Sequence, residues 1–407
     1  MVNVDSQAFL IVVAAAALAA GFAAVLARRL LVPVVVLELV LGVVIGPSVL
    51  GLVEPDEFME FFASLGLGML FFFAGYEIDF ARIKGQPLKL AAIGWIASLA
   101  IAYTLSGALA LAGIILSFLF VGSALATTAI GTLIPILSDA GELKTRFGTY
   151  LLGAGAMGEF GPILLITLVF STKSALANAG ILVLFVALAV AAGIVAVRSV
   201  GRGWNLFERT LETSSQLAIR SAVVMVFALA ALAGSLGLDL LLGGFVAGII
   251  LRLALEGREV RVLESKLTAV GYGFLIPFFF VVSGINLNVA ALVEEPTELL
   301  KVPLFLVLFF LVRGIPALTL YRGVLGSRDR MALAFFTSTQ LPLVVAITTI
   351  AIDQNHMTET TAASLVTAAI LSTAIFPMVG LGLRAGGSTD ESDRPEPTSP
   401  MAPVATS

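Results

Sequence analysis

The chain is made of about thirteen stretches of roughly twenty apolar residues, separated by short charged or Gly/Pro-containing turns, and this pattern leaves few ways to fold. The stretches run over residues 7–27, 31–51, 58–78, 88–111, 115–137, 147–171, 175–197, 218–236, 238–254, 267–290, 300–321, 331–352 and 360–383. Lipid offers no water to unpaired backbone groups, so a segment of this length and apolarity crosses a bilayer as a helix. Hydrophobic residues make up 59% of the chain and charged residues only 12%, about half the usual share of a soluble domain. The expected class is therefore an all-α polytopic membrane protein. The first stretch continues into Arg28 and Arg29 without a small-residue cleavage pattern, so it reads as a retained helix.

The basic residues give the orientation. With the N-terminus outside, only Lys173 and Lys301 fall on outer loops and Arg313 falls inside the membrane; every other Lys and Arg lies on an inner loop. A missed or invented span would scramble that alternation. Outer loops are acidic (Glu54, Asp56, Glu57 and Glu60; Glu294, Glu295 and Glu298) and read as solvated surface. Residues 384–407, rich in Pro, Ser, Thr and acids, read as a disordered cytoplasmic tail. The absence of Cys removes disulfide and thiolate-metal chemistry, and a single His356 cannot form a His cluster. A net charge of -4 gives no reason to expect nucleic acid. There is no hydrolase triad, phosphate-binding loop or metal cluster, so neither an enzyme nor a cofactor is expected.

Two charges stand alone at membrane depth. Glu159 is the one charge between Phe147 and Thr172, and Arg313 sits midway along Val302 to Tyr321. An ionisable side chain at the bilayer centre costs about 2.5–3.5 kcal/mol on insertion scales and normally lines an ion, proton or substrate path. Glu159 lies in Gly153-Ala-Gly155-Ala-Met-Gly158-Glu159-Phe-Gly161-Pro162, where small residues leave room beside the carboxylate. Glu38 is also intramembrane, and either it or Glu159 could partner Arg313. Glu77, Asp79 and Asp239 read as interfacial.

Two stretches look interrupted. The fifth carries Ser123, Thr127, Thr128, Gly131, Thr132 and Pro135; the twelfth carries Thr337, Ser338, Thr339, Gln340 and Pro342. Broken helices in corresponding positions of two halves point to a transporter site. They lie seven spans apart, and an odd offset reverses direction, as inverted repeats over spans 2–6 and 9–13 require.

Several segments resemble the monovalent cation:proton antiporter-2 family, the Kef- and NapA-like exchangers. They are Leu31-Val-Pro33 through Glu38 and Gly42 to Gly46-Pro47-Ser48, Gly66 through Gly75-Tyr-Glu77-Ile-Asp79, Gly243-Gly244-Phe-Val-Ala-Gly248, and Pro277 through Gly284. The resemblance covers nearly all of residues 7–383. It implies a sodium/proton antiporter-like fold and a homodimer. Spans 1–3 and 8–10 would form the dimerisation part, spans 4–6 and 11–13 the transport part, and span 7 the linker. Spans 5 and 12 would be the crossed, unwound helices. The family's ion-binding carboxylate, usually Asp, falls on Glu159, and its basic residue falls on Arg313. Gly158 stands where the family often has Asp, Asn or Gln.

The expectation is a prokaryotic plasma-membrane exchanger of Na⁺ or K⁺ for H⁺, serving pH homeostasis by alternating access around Glu159. Burial favours a neutral carboxyl and nearby positive charge favours the anion, so proton and cation can compete for one site. Thr127, Thr128 and backbone carbonyls would complete the cation shell, with Arg313, Glu38, Thr132 and Gln340 as support. One titrating acid implies electroneutral exchange. Other readings of the same residues are a solute or anion symporter on a related fold, a channel, or a transport-inactive sensor.

Overall fold

In lipid a backbone carbonyl has no partner but another backbone group, so the apolar stretches fold into helices and pack through small residues. The computed structural model of the protein describes residues 5–26, 33–78, 80–169, 175–211, 213–236, 238, 240–255, 260–289, 292 and 296–385. Arg28, Arg29, Asp79, Lys173, Asp239, Glu294, Glu295 and the tail beyond residue 385 lie outside these residues.

The major helices are α1 (Ser6–Leu26), α2 (Val34–Ile45), α3 (Glu57–Tyr76), α4 (Gln86–Leu111), α5a (Phe118–Leu125), α5b (Ile130–Asp139) and α6 (Arg146–Val169). They continue as α7 (Ala175–Leu211), α8 (Leu217–Leu236), α9 (Leu240–Ala254), α10a (Arg261–Val270), α10b (Ile276–Ile285), α11 (Lys301–Leu320), α12a (Ser327–Thr337), α12b (Pro342–Asp353) and α13 (Glu359–Ala385). The protein is all-helical among the described residues. By length and composition, eight helical segments are candidate membrane spans, and Val34–Ile45, Phe118–Ile134, Gly180–Val195 and Leu241–Ala254 are shorter apolar helices.

The observed boundaries differ from the expected ones for local reasons. α2 stops at Ile45 instead of running to residue 51, because Pro47 disfavours helical backbone at Gly46, which is extended (ψ 178°). α7 runs on to Leu211, past the apolar limit at residue 197; once nucleated, a helix propagates through polar sequence as well. α13 reaches Ala385, and Arg384 leaves the expected tail to bind Glu142 (2.9 Å) and Asp329 (2.6 Å).

Two sets of helices pack mainly within themselves. α1, α2, α3, α8, α9 and α10 form one; α4, α5, α6, α11, α12 and α13 form the other, with α3 touching α5b and α9 touching α6 between them. The first set is drawn together by glycine. A Cβ on Gly75 would stand 2.0 Å from the Phe245 carbonyl oxygen, and one on Gly248 would stand 2.0 Å from that of Phe72. Gly42 and Gly284 do the same for α2 and α10b, at 2.1 Å from Val281 O and 2.2 Å from Leu39 O. These approaches explain the glycine patterns of the sequence: two helix backbones touch with nothing between them.

Candidate functional site: two broken helices around Glu159

The breaks in α5 and α12 have different origins. Pro342 opens α12b at a position where a missing N–H costs nothing, and Leu341 before it leaves helical geometry (φ -160°, ψ -66°). α5 breaks between Leu125 and Ile130, upstream of both Gly131 and Pro135, so neither residue that suggested an unwound helix sits in the break. Tertiary bonds hold it open instead. Thr128 N–H donates to Gly158 O (3.0 Å) on α6, and Ala129 N–H donates to Thr339 O (2.9 Å) in the other break. Trp95 on α4 donates its indole N–H to the freed Ala126 carbonyl (3.2 Å). The two interruptions therefore meet and share backbone hydrogen bonds.

Gln340 ties this junction together. Its Nε2 donates to Leu125 O (2.9 Å), its Oε1 accepts from Thr127 Oγ1 (2.6 Å), and its own carbonyl accepts from Ser372 (3.1 Å) and Thr373 (3.0 Å) on α13. A buried amide bonded through both its oxygen and its nitrogen is well suited to fixing two unwound segments in one register. Gln340→Leu leaves the Leu125 carbonyl without its donor, and should lower stability by about 1–3 kcal/mol. Gln340→Glu loses the same donor while keeping an acceptor for Thr127. A melting midpoint of Gln340→Leu in detergent equal to that of the parent would remove Gln340 from this role.

Arg313 is 4% exposed on α11 and pairs with neither carboxylate. Its Nε donates to Thr128 Oγ1 (2.9 Å) and, at 3.4 Å, to Thr337 O; Nη1 donates to Ser98 Oγ (3.3 Å) and Nη2 to Ala154 O (3.0 Å). Among the described residues no ion pair joins it to Glu159 or to Glu38, which is 2% exposed on α2. Gly158 is explained by the same group: a Cβ there would stand 2.6 Å from Thr128 and 2.8 Å from Arg313 Nη2. The arginine occupies the space an acidic neighbour would need.

Glu159 is 5% exposed on α6 and points at the start of α5b. Its Oε1 accepts from Gly131 N–H (3.3 Å), where the half-helix presents unpaired amides and the positive end of its dipole. Its Oε2 is buried with no hydrogen-bond partner. This arrangement orients a carboxylate through neutral donors and leaves one oxygen open to a proton or a cation.

The structure gathers Thr127, Thr128, Glu159, Arg313 and Gln340 at one junction and leaves Glu38 apart from Arg313. Thr127 and Thr128 hydroxyls are engaged by Gln340, Arg313 and Thr337 O, and Thr132 bonds back to Ala129 O (2.9 Å). Sequence reasoning missed Trp95, Ser98, Ser372 and Thr373, ordinary residues of neighbouring helices whose roles come only from facing the breaks. It read Glu77 as interfacial, and Glu77 lies at the C-terminal end of α3, with its Oε2 buried and unpartnered.

Residues 13–381 match the family described as sodium/hydrogen exchanger, transmembrane. YjbQ of Bacillus subtilis, whose assignment as an Na⁺/H⁺ antiporter is itself provisional, is 27% identical over 86% of this chain and 59% of its own length. The chain thus spans about three fifths of that relative. The Na⁺/H⁺-K⁺ antiporter GerN of Bacillus cereus is 28% identical, over 65% of this chain and 67% of its own. Among solved structures, the sodium proton antiporter MjNhaP1 of Methanocaldococcus jannaschii at pH 8 superposes with a TM-score of 0.62, covering 93% of this chain and 98% of that one. At 18% identity that likeness speaks to the fold.

Proposed function

The chain belongs to the sodium/hydrogen exchanger transmembrane family, and on that premise we propose that it exchanges a monovalent cation for H⁺ with Glu159 as the alternating group. The observation that carries this reading is the state of that carboxylate. It is buried, one oxygen rests on a half-helix N-terminus, the other has no partner, and Arg313 does not neutralise it. A proton or a small cation can satisfy that oxygen, but not both at once, and this competition is the coupling.

Arg313 is always charged and acts by shaping the field and the crossing, not by carrying protons. The cation shell would draw on Glu159, carbonyls freed at the two breaks and the hydroxyls of Thr127 and Thr128, which would first have to leave their present partners. A carboxylate substrate held by Arg313 would have to displace Thr128, Ser98 and two carbonyls, which favours antiport over anion symport.

The same reading extends to the whole molecule. α4–α6 and α11–α13 form the moving part, and α1–α3 and α8–α10 form a dimeric scaffold linked by α7; the distribution of Lys and Arg supports thirteen crossings with the N-terminus outside a prokaryotic plasma membrane. The motifs in α2 and α3 support the Kef- and NapA-like branch within that family. Na⁺ and K⁺ are both candidates, the latter supported by the name of the GerN relative.

One proton against one monovalent cation moves no net charge. In proteoliposomes with an imposed pH gradient, Na⁺ or K⁺ should dissipate the gradient at a saturable rate that an imposed membrane potential leaves unchanged. A rate that follows the potential would reject one-for-one exchange. Conduction without coupling to H⁺ would reject exchange itself.

A further inference from the structure

Pro162 stands inside α6, three residues beyond Glu159. A proline has no N–H, so the carbonyl four residues earlier loses its helical donor, and in α6 that carbonyl belongs to Gly158. Membrane helices tolerate an interior proline where a neighbouring helix supplies the missing partner. Here the partner is Thr128 N–H (3.0 Å), itself released by the break between α5a and α5b. One helix lacks a donor, the other has one to spare, and the two meet.

The residues around Pro162 anchor the same break. Glu159, next to Gly158, accepts from Gly131 N–H at the start of α5b (3.3 Å). Gly161, next to Pro162, leaves the space that the Trp95 ring fills: a Cβ there would stand 2.4 Å from Cε2 of the indole. From that seat the indole N–H reaches Ala126 O (3.2 Å). Ala126, Thr128 and Gly131 are thus each fixed by residues 158–161 of α6 or by the ring they admit. An interior proline does not do this by itself. Pro316 in α11 and Pro377 in α13 also stand inside helices. Among the described residues, no backbone N–H of another element reaches the Val312 or Thr373 carbonyl that they leave without a donor.

We propose that Pro162 is a positioning residue for the cation site: by withholding an N–H it hands the Gly158 carbonyl to Thr128, and this bond holds the start of α5b against Glu159. The proposal rests on the exchange reading above. Any other residue at this position brings a new N–H to the Gly158 carbonyl. The restored helical bond straightens α6 and draws that carbonyl along the helix axis, away from Thr128. The chain between Ala126 and Gly131 then loses one of its anchors, and the carboxylate loses part of the half-helix dipole that favours its charged, cation-holding form. Regularity of α6 and cation binding therefore pull in opposite directions at Pro162.

The test is Pro162→Ala, which restores the N–H and suits a helix interior far better than proline. Without added cation the purified variant should melt at or above the parental temperature. Deuterium uptake by the peptide carrying Thr128 should nevertheless quicken about ten-fold. The Na⁺ or K⁺ concentration that half-saturates thermal stabilisation should rise about five-fold or more, and in proteoliposomes the concentration for half-maximal exchange should rise in parallel. A protein that is no less stable yet holds the ion more weakly is not what a merely structural proline gives. Parental cation dependence overturns the proposal, and so does parental deuterium uptake. A variant that melts below the parent or does not fold overturns it as well. If the parent shows no exchange but is stabilised by Na⁺ or K⁺, the exchange reading fails alone, and the thermal titration still decides the role of Pro162. If neither cation acts on the parent, both readings fall.

Discussion

Glu159→Gln should abolish cation-driven proton movement while leaving the protein folded. The amide is close in shape to the carboxylate, and its oxygen can still accept from Gly131 N–H, now at 3.3 Å from Oε1. What it loses is the capacity to alternate between a proton and a cation. Removing a group that carries the proton in the working cycle costs about a hundred-fold or more in rate. The assay is dequenching of a pH-sensitive dye in proteoliposomes given Na⁺, K⁺ or Li⁺, beside the parent. Glu159→Asp serves as the companion, keeping the chemistry but drawing the carboxylate back from α5b by one methylene, so a residual rate is expected. Full exchange by Glu159→Gln would move the coupling elsewhere, and Glu77 would be the next carboxylate to replace.

Arg313→Met should have the largest effect on stability. The guanidinium connects Ser98 on α4, Thr128 in the α5 break, Ala154 on α6 and Thr337 at the end of α12a. Methionine fills part of the volume but leaves the Ala154 carbonyl and the Ser98 and Thr128 hydroxyls without the guanidinium donor in a buried place, while the Thr337 carbonyl keeps the Thr128 hydroxyl. Each orphaned acceptor costs about 1–3 kcal/mol before relaxation, so a loss of about 3 kcal/mol or more is expected. The yield of monodisperse protein and its melting midpoint both report it. Arg313→Lys separates charge from shape: an ammonium keeps the charge but cannot span four acceptors in different directions. Partial recovery by Lys supports the pinning role. Equal stability of parent, Lys and Met variants would show that the crossing is held without this residue.

How much of this could be read beforehand differs from residue to residue. Glu159 and Arg313 were conspicuous because each is a lone charge in an apolar stretch, and the cost of burial makes such residues rare. The two interruptions were visible as clusters of hydroxyls with Gly or Pro. In α12 the proline does end the break, but in α5 the break lies upstream of Gly131 and Pro135 and is held by Gly158, Thr339 and Trp95. The pairing of Arg313 was left between two acids, and the answer is neither, since Ser98, Thr128 and two carbonyls satisfy it instead. Glu77 was legible as a residue at a helix end, and it caps α3; that its Oε2 is buried came only from packing.

Alone, the order of residues determined that the chain folds as membrane helices and which few side chains would be costly to bury. Both follow from local length, apolarity and charge, because lipid cannot satisfy a bare backbone or a lone ion. The tertiary structure decided which oxygens and nitrogens meet. Thr128 and Thr337 lie 209 positions apart yet share a hydrogen bond of 2.6 Å. Contacts of that kind depend on how whole helices cross, and no local pattern along the chain encodes the distance between them.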